Sequence, residues 1–219
     1  MTRILARTSL PLPSRREWLR DRLPLATPPL TPELRLHRAD PASGLGRLAS
    51  GGGAPYWAYP WAGGLALARY LIDRPETVAG KRVLDLGAGG GLVAIAAMKA
   101  GAGQATAVDI DPDAIEMVAL NAEANSVAVV ALCGDPLDGA PPAVDLVLVG
   151  DLFYEARLAA RLVAFLDRCA AAGIPSLIGD PGRAPLPRAR LARLAEYRLA
   201  DFGDAPEATA TTSAVYAFV

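Results

Sequence analysis

The chain has 219 residues, 52% hydrophobic and 21% charged, with 22 Lys and Arg against 23 Asp and Glu and a net charge of −1. That length suits one α/β domain with a short N-terminal extension, and so apolar a composition excludes a disordered tail. Balanced charge excludes a global field for nucleic acid, the single histidine excludes a His-rich zinc site, and Cys133 and Cys169 lack metal-ligand spacing, so both suit small core positions in a reducing compartment.

Residues 1–55 are rich in Pro, Arg and Gly and read as an extension or lid. Within them, Ser14 to Arg22 carries the one local basic run, a solvated helix face rather than a nucleic-acid patch. Pro28-Pro29 breaks a helical segment, Gly51-Gly52-Gly53 forms a flexible join, and His37, without an acid-base partner nearby, reads as a surface or lid residue. The domain proper is expected over 56–219. No run approaches the roughly 18 apolar residues of a membrane span, so a cytoplasmic protein without membrane contact is expected.

From Trp61 to Ile72, Leu65, Leu67, Ala68, Leu71 and Ile72 fall at helical spacing, with Arg69 and Asp73 on another face. Strands are then predicted near 82–86, 105–109, 128–132, 145–150 and 175–179, alternating with helices near 91–100, 112–124, 156–172 and 187–195. Such alternation predicts a Rossmann-like, doubly wound, mostly parallel sheet covered on both faces. The runs 197–202 and 213–219 leave no room for a helix between them and predict an antiparallel C-terminal hairpin, which brings the sheet to seven strands.

Val83-Leu84-Asp85-Leu86-Gly87-Ala88-Gly89-Gly90-Gly91 runs from a buried strand through a tight glycine loop into the helix that begins at Leu92. Glycines let the backbone turn sharply and approach a ligand closely. A dinucleotide loop needs glycine at the sixth position, where Leu92 stands, so Gly-x-Gly-x-Gly is met and Gly-x-Gly-x-x-Gly is not. Asp109 ends the next strand, 22 positions beyond Gly87, where a carboxylate accepts ribose hydroxyls. Its rival role, a helix N-cap, is better filled by Asp111 before Pro112. After the third strand, Asp135 either meets an adenine edge or serves as a turn residue before Pro136.

The loop, Asp109 and the helix from Asp111 to Asn121 resemble class I, seven-β-strand methyltransferases, a likeness that covers about 61–219. The resemblance implies S-adenosylmethionine as cofactor and S-adenosylhomocysteine as product. It also implies that Asp85 orients the ligand's amino-acid end, that Gly87, Gly89 and Gly91 form its floor, and that Asp109 holds the ribose. Gly150, ending the fourth strand, is grouped with these cofactor-facing residues. Trp61 either packs over the cofactor or staples its helix to the sheet.

Asp151-Leu152-Phe153-Tyr154-Glu155 follows the fourth strand and sets a carboxylate, an aromatic ring and a phenol at the mouth of the site. Asn-Pro-Pro-Tyr, the signature of amide and many nucleobase methyltransferases, is absent. Asp151-x-x-Tyr154 is instead similar to the Asp-x-x-Tyr signature of the lysine methyltransferase group that includes the enzyme for electron transfer flavoprotein β-subunit. Leu30 to Leu36 and Tyr56 to Gly64 are similar to segments before the cofactor loop in that group. The resemblance implies a protein-lysine methyltransferase with electron transfer flavoprotein β-subunit as substrate, Asp151 and Tyr154 orienting the target amine. A plainer reading makes Asp151 a helix N-cap and buries Phe153 and Tyr154 at a helix start. A ribosomal-protein methyltransferase, an NAD-dependent oxidoreductase and a cofactor-binding protein without turnover stand as alternatives.

Overall fold

The computed structural model describes residues 14–39, 55–199 and 211–219, so the glycines at 51–53 and residues 200–202 lie outside the described chain. Helix α1 (Arg15–Arg22) and the short strands β1 (Leu25–Ala26) and β2 (Leu36–His37) precede α2 (Ala62–Asp73). Then come β3 (Arg82–Leu86), α3 (Leu92–Lys99), β4 (Gln104–Asp109), α4 (Pro112–Ala124), β5 (Val130–Cys133), β6 (Leu146–Gly150), α5 (Ala156–Ala171), β7 (Ser176–Asp180), β8 (Leu191–Leu199) and β9 (Thr211–Phe218).

Seven strands make one sheet in the order β5-β4-β3-β6-β7-β9-β8, in which β9 alone runs against its neighbours. The expected mostly parallel sheet with an antiparallel hairpin is therefore present. Alternation along each strand divides the core. Val83, Leu146, Leu148 and Leu177 pack with Leu67 and Leu71 of α2 and Val93 and Ala97 of α3. Leu84, Val147, Val149 and Ile178 turn the other way, onto Leu162, Phe165 and Leu166 of α5. Chain order reverses between β3 and β6, and in open α/β sheets ligands bind at the strand carboxyl ends beside such a point.

Two expectations are corrected. The helix near 187–195 is a short 3-10 turn, Arg188–Arg190, followed by a nine-residue strand. Between Arg193 and Ala195 the pairing slips by one residue, leaving Leu194 opposite no partner and 43% exposed. Leu191 therefore packs on the α5 face, whereas Ala195 and Tyr197 pack on the α2 face. That bulge breaks the period of two, and the Leu, Ala, Arg and Glu around it favour helix until β9 supplies a partner. Cys133 is exposed rather than core because β5 is an edge strand, with Val130 and Leu132 also exposed, while Cys169 is buried as expected.

The basic run at the N-terminus is a row of ion pairs. Arg15, Arg16 and Arg20 of α1 pair with Asp113, Glu116 and Glu123 of α4. Beneath them Leu19 and Leu23 pack on Met117 and Leu120. His37 is half-buried, its Nδ1 2.7 Å from the Leu23 carbonyl. Asn121, buried in α4, joins this extension to the glycine loop, since its Oδ1 accepts from His37 N–H at 2.7 Å and its Nδ2 donates to Gly90 O at 2.8 Å. Among the described residues no helix is long and apolar enough to cross a membrane, and no cluster of three or more His, Cys, Asp and Glu could hold a metal ion.

Candidate active site

The site begins where β3 ends. Gly91, with φ of 82°, is the N-cap of α3 and has no side chain with which to cap it. Asp85 takes that role from the strand: its Oδ2 accepts from Ala94 N–H, in the first turn of α3, at 2.9 Å. Burial, and after it the Asp109 carboxylate, push the Asp85 carboxyl up to about 7, against the lowering effect of the Ala94 amide. Gly87 has φ of 62°, which strains any other residue, and a Cβ there would lie 2.5 Å from the Leu152 side chain and displace it.

Asp109, at the end of β4, accepts from Gly89 N–H at 2.9 Å and from Asp111 N–H at 3.0 Å. Helix α4 is capped by Asp111, whose Oδ1 accepts from Asp113 N–H at 2.8 Å, as the sequence predicts. Asp85, Gly87, Gly89, Gly91 and Asp109 thus converge on one loop. Asp135 lies beyond it at the end of β5, its carboxylate accepting from Leu137 N–H at 3.0 Å and paired with Arg161 at 2.9 Å. That turn geometry matches the plainer of its two readings. Gly150 serves close packing, because a Cβ there would lie 3.1 Å from Gly64 Cα.

The other half of the site forms where β6 ends. Asp151 has φ of 59°, a left-handed conformation that aspartate tolerates better than most residues, and its N–H donates to Gly179 O at 3.0 Å. Its side chain turns to the first turn of α2, where Gly64 N–H donates to Oδ2 at 2.6 Å, while Arg183 Nη2 donates to Oδ1 at 2.9 Å. Burial pushes this carboxyl up to about 6, with Arg183 and then Gly64 pulling the other way. Asp151 is not an N-cap of α5; that position belongs to Glu155, which makes no side-chain capping bond. Phe153 is fully buried, whereas Tyr154 is 57% exposed. The Tyr154 ring lies 6.5 Å from Tyr56, Tyr56 lies 5.9 Å from Trp61, and Trp61 lies 6.2 Å from Tyr59, so the mouth is lined by aromatic faces.

Sequence reasoning missed four contributors to this half. Gly63 and Gly64 stand in the first turn of α2, and a Cβ on Gly63 would fall 2.3 Å from Gly179 O and 2.7 Å from Asp151 Oδ2. Gly179 answers from β7, where a Cβ would meet Gly63 O at 2.1 Å. Paired glycines in a helix are the one signal that could have found this contact, since helices disfavour them. Arg183 arrives from the loop after β7 and carries no such signal.

The chain is 40% identical to the electron transfer flavoprotein beta subunit lysine methyltransferase of Xenopus laevis over 97% of its own length and 89% of the relative. It belongs to the electron transfer flavoprotein beta subunit lysine methyltransferase family. The zebrafish (Danio rerio) family member is 44% identical over 75% of this chain and 66% of its own. A family model described as ribosomal protein L11 methyltransferase (PrmA) matches residues 68–149, the stretch from α2 to β6. For the fold alone, the tRNA (uracil-54, C5)-methyltransferase of Pyrococcus abyssi in complex with S-adenosyl-L-homocysteine superposes with a TM-score of 0.51 at 22% identity, over 69% of this chain and 38% of that one. Family membership makes the chain an S-adenosylmethionine-dependent protein-lysine methyltransferase, and the oxidoreductase and non-catalytic readings give way. The residues present fit that cofactor: Gly87, Gly89 and Gly91 stand in the left-handed region and leave backbone room, Asp109 presents a carboxylate beside the loop at the end of β4, and Asp85 sets a buried carboxyl at the loop's start.

Proposed function

We propose that this family member methylates lysine on the β-subunit of electron transfer flavoprotein, in the cytoplasm, with the catalytic domain over 56–219 and residues 1–55 as an extension of it. In this reading Asp151 and Tyr154 meet the target amine, while Asp85, Gly87, Gly89, Gly91 and Asp109 hold the methyl donor. Trp61 closes the site from the aromatic side. Asp135 and Gly150 contribute chiefly through backbone position, since the Asp135 carboxylate is held by Arg161 and Gly150 is packed by Gly64.

The observation that carries the reading is a buried carboxylate followed three residues later by a half-exposed phenol, where β6 ends next to the glycine loop. The bound cofactor supplies an electrophilic methyl group on a sulfonium. What the protein must do is align a neutral amine with it, within about 3–3.5 Å. Lysine arrives as an ammonium ion, which the Asp151 carboxylate attracts and orients. Withdrawal from water among Tyr56, Trp61 and Tyr154 then favours the neutral amine, and the proton leaves to solvent. A carboxyl at about 6 is also a better proton acceptor than an ordinary aspartate.

The test is transfer of labelled methyl to purified electron transfer flavoprotein, with mass spectrometry locating the acceptor. Asp151→Asn and Tyr154→Phe are expected to lower turnover by about a hundredfold or more with cofactor affinity retained, whereas Asp109→Ala is expected to lose cofactor binding. Undiminished turnover in Asp151→Asn removes the assignment. Ribosomal protein L11 serves as the rival acceptor, because the matching family model bears that description.

A further inference from the structure

We infer that Arg183 is an internal competitor for the substrate's ammonium group, its guanidinium holding the cation subsite formed by Asp151 and the Trp61 ring until a lysine displaces it. The inference rests on the proposed role of Asp151. Arg183 Nη2 lies 2.9 Å from Asp151 Oδ1, and the guanidinium carbon lies 6.0 Å from the Trp61 ring centroid. A carboxylate and an aromatic face are the two groups that a lysine ammonium entering this mouth would use, so one cation occupies what another needs.

The backbone that presents Arg183 does not depend on the ion pair. Asp180, at the end of β7 and fully buried, accepts from Gly182 N–H and Arg183 N–H through Oδ1, each at 2.7 Å. Gly182 takes φ of 92°, and its carbonyl accepts from Arg188 Nη2 at 2.7 Å. The turn is thus pinned at both ends by bonds that do not involve the Arg183 guanidinium.

Such a competitor solves a problem set by burial. With 9% of its side chain exposed, Asp151 left without a cation would be a buried carboxylate held only by backbone amides, a costly state. Arg183 keeps the carboxylate paired before substrate arrives, and exchange replaces one ion pair by another. A neutral side chain gains less by entering, because it would leave Asp151 without a cation. The consequence is a lowered apparent affinity, since substrate binds only the fraction of enzyme in which the subsite is vacated.

The experiment uses the full chain at pH 8.5 with purified electron transfer flavoprotein, and n-butylammonium as a cation without a protein surface. Arg183→Gln removes the competitor; Arg183→Met does so while keeping an aliphatic stem against Trp61, and thermal melting confirms that each is folded. The KM for electron transfer flavoprotein and the half-inhibitory concentration of n-butylammonium are both expected to fall, on the order of three- to tenfold, without a matching rise in kcat. A KM that is unchanged or raised in the folded variants overturns the inference. Asp151→Asn, run alongside, separates the two levels: loss of turnover there with an unimproved Arg183 variant sinks only the competitor, whereas full turnover there sinks the site assignment itself.

Discussion

Asp85 and Asp151 hold matching stations in the two halves of the site. Each follows a buried strand, and each carboxylate accepts an amide in the first turn of a helix whose own N-cap residue makes no capping bond. Their company differs. Asp85 faces another acid, Asp109, and stands at about 7; Asp151 faces Arg183 and stands at about 6. The same capping geometry therefore leaves one carboxyl beside a second acid and the other already paired with a cation of the protein. The β3 half is built from β3, the glycine loop, α3 and the end of the next strand, β4, whereas the β6 half is assembled from α2, β6 and the loop after β7.

The largest test of this contrast is Gly63→Ala. Its Cβ would meet backbone, Gly179 O at 2.3 Å, so α2 must shift off the sheet and draw Gly64 N–H away from Asp151. A stability loss of about 3 kcal/mol is expected by denaturant unfolding, with turnover lost beyond that. A loss under about 1 kcal/mol would mean that the close contact is not what seats Asp151.

A second test compares the two carboxyls by pH in the ligand-free protein. Both titrate above the ordinary aspartate value when folded, so each favours the fold most below about 4 and loses that contribution as pH rises, through about 7 for Asp85 and about 6 for Asp151. Asp85→Asn is therefore expected to gain melting temperature relative to the parent more at pH 8 than at pH 5. Equal changes at the two values would contradict a raised Asp85.

The smallest effect is expected where charge is exposed. Arg20 and Glu123 pair at 3.0 Å with both side chains in solvent, so Arg20→Ala should cost no more than about 0.5 kcal/mol, and less in high salt. A loss several times larger would show that α1 is held by its charges rather than by Leu19 and Leu23.

The halves also differed in how far they could be read beforehand. The segment Val83 to Gly91 and the Asp111 cap are local: strand, turn and first helical turn lie within a few residues, so side-chain type and backbone geometry speak for each other, and Asp109 ends the very next strand. Asp151 and Tyr154 could be singled out, but not their setting. Gly64 lies 87 positions before Asp151 and Arg183 lies 32 after it, separations over which no periodicity operates. Residues 187–195 misled for a related reason, because a bulge imitated helical spacing and only β9 made the strand worth forming.

By itself the sequence determined the class of the fold and the glycine loop with its carboxylates, since these follow from local backbone preference, hydrophobic period and composition. Only tertiary structure decided that the N-terminal arginines are neutralised on α4, that two glycines bring α2 onto β7, and that Arg183 pairs with Asp151. Those outcomes depend on close approach between segments remote in the chain, where a missing Cβ or a single charge takes its meaning from what lies opposite.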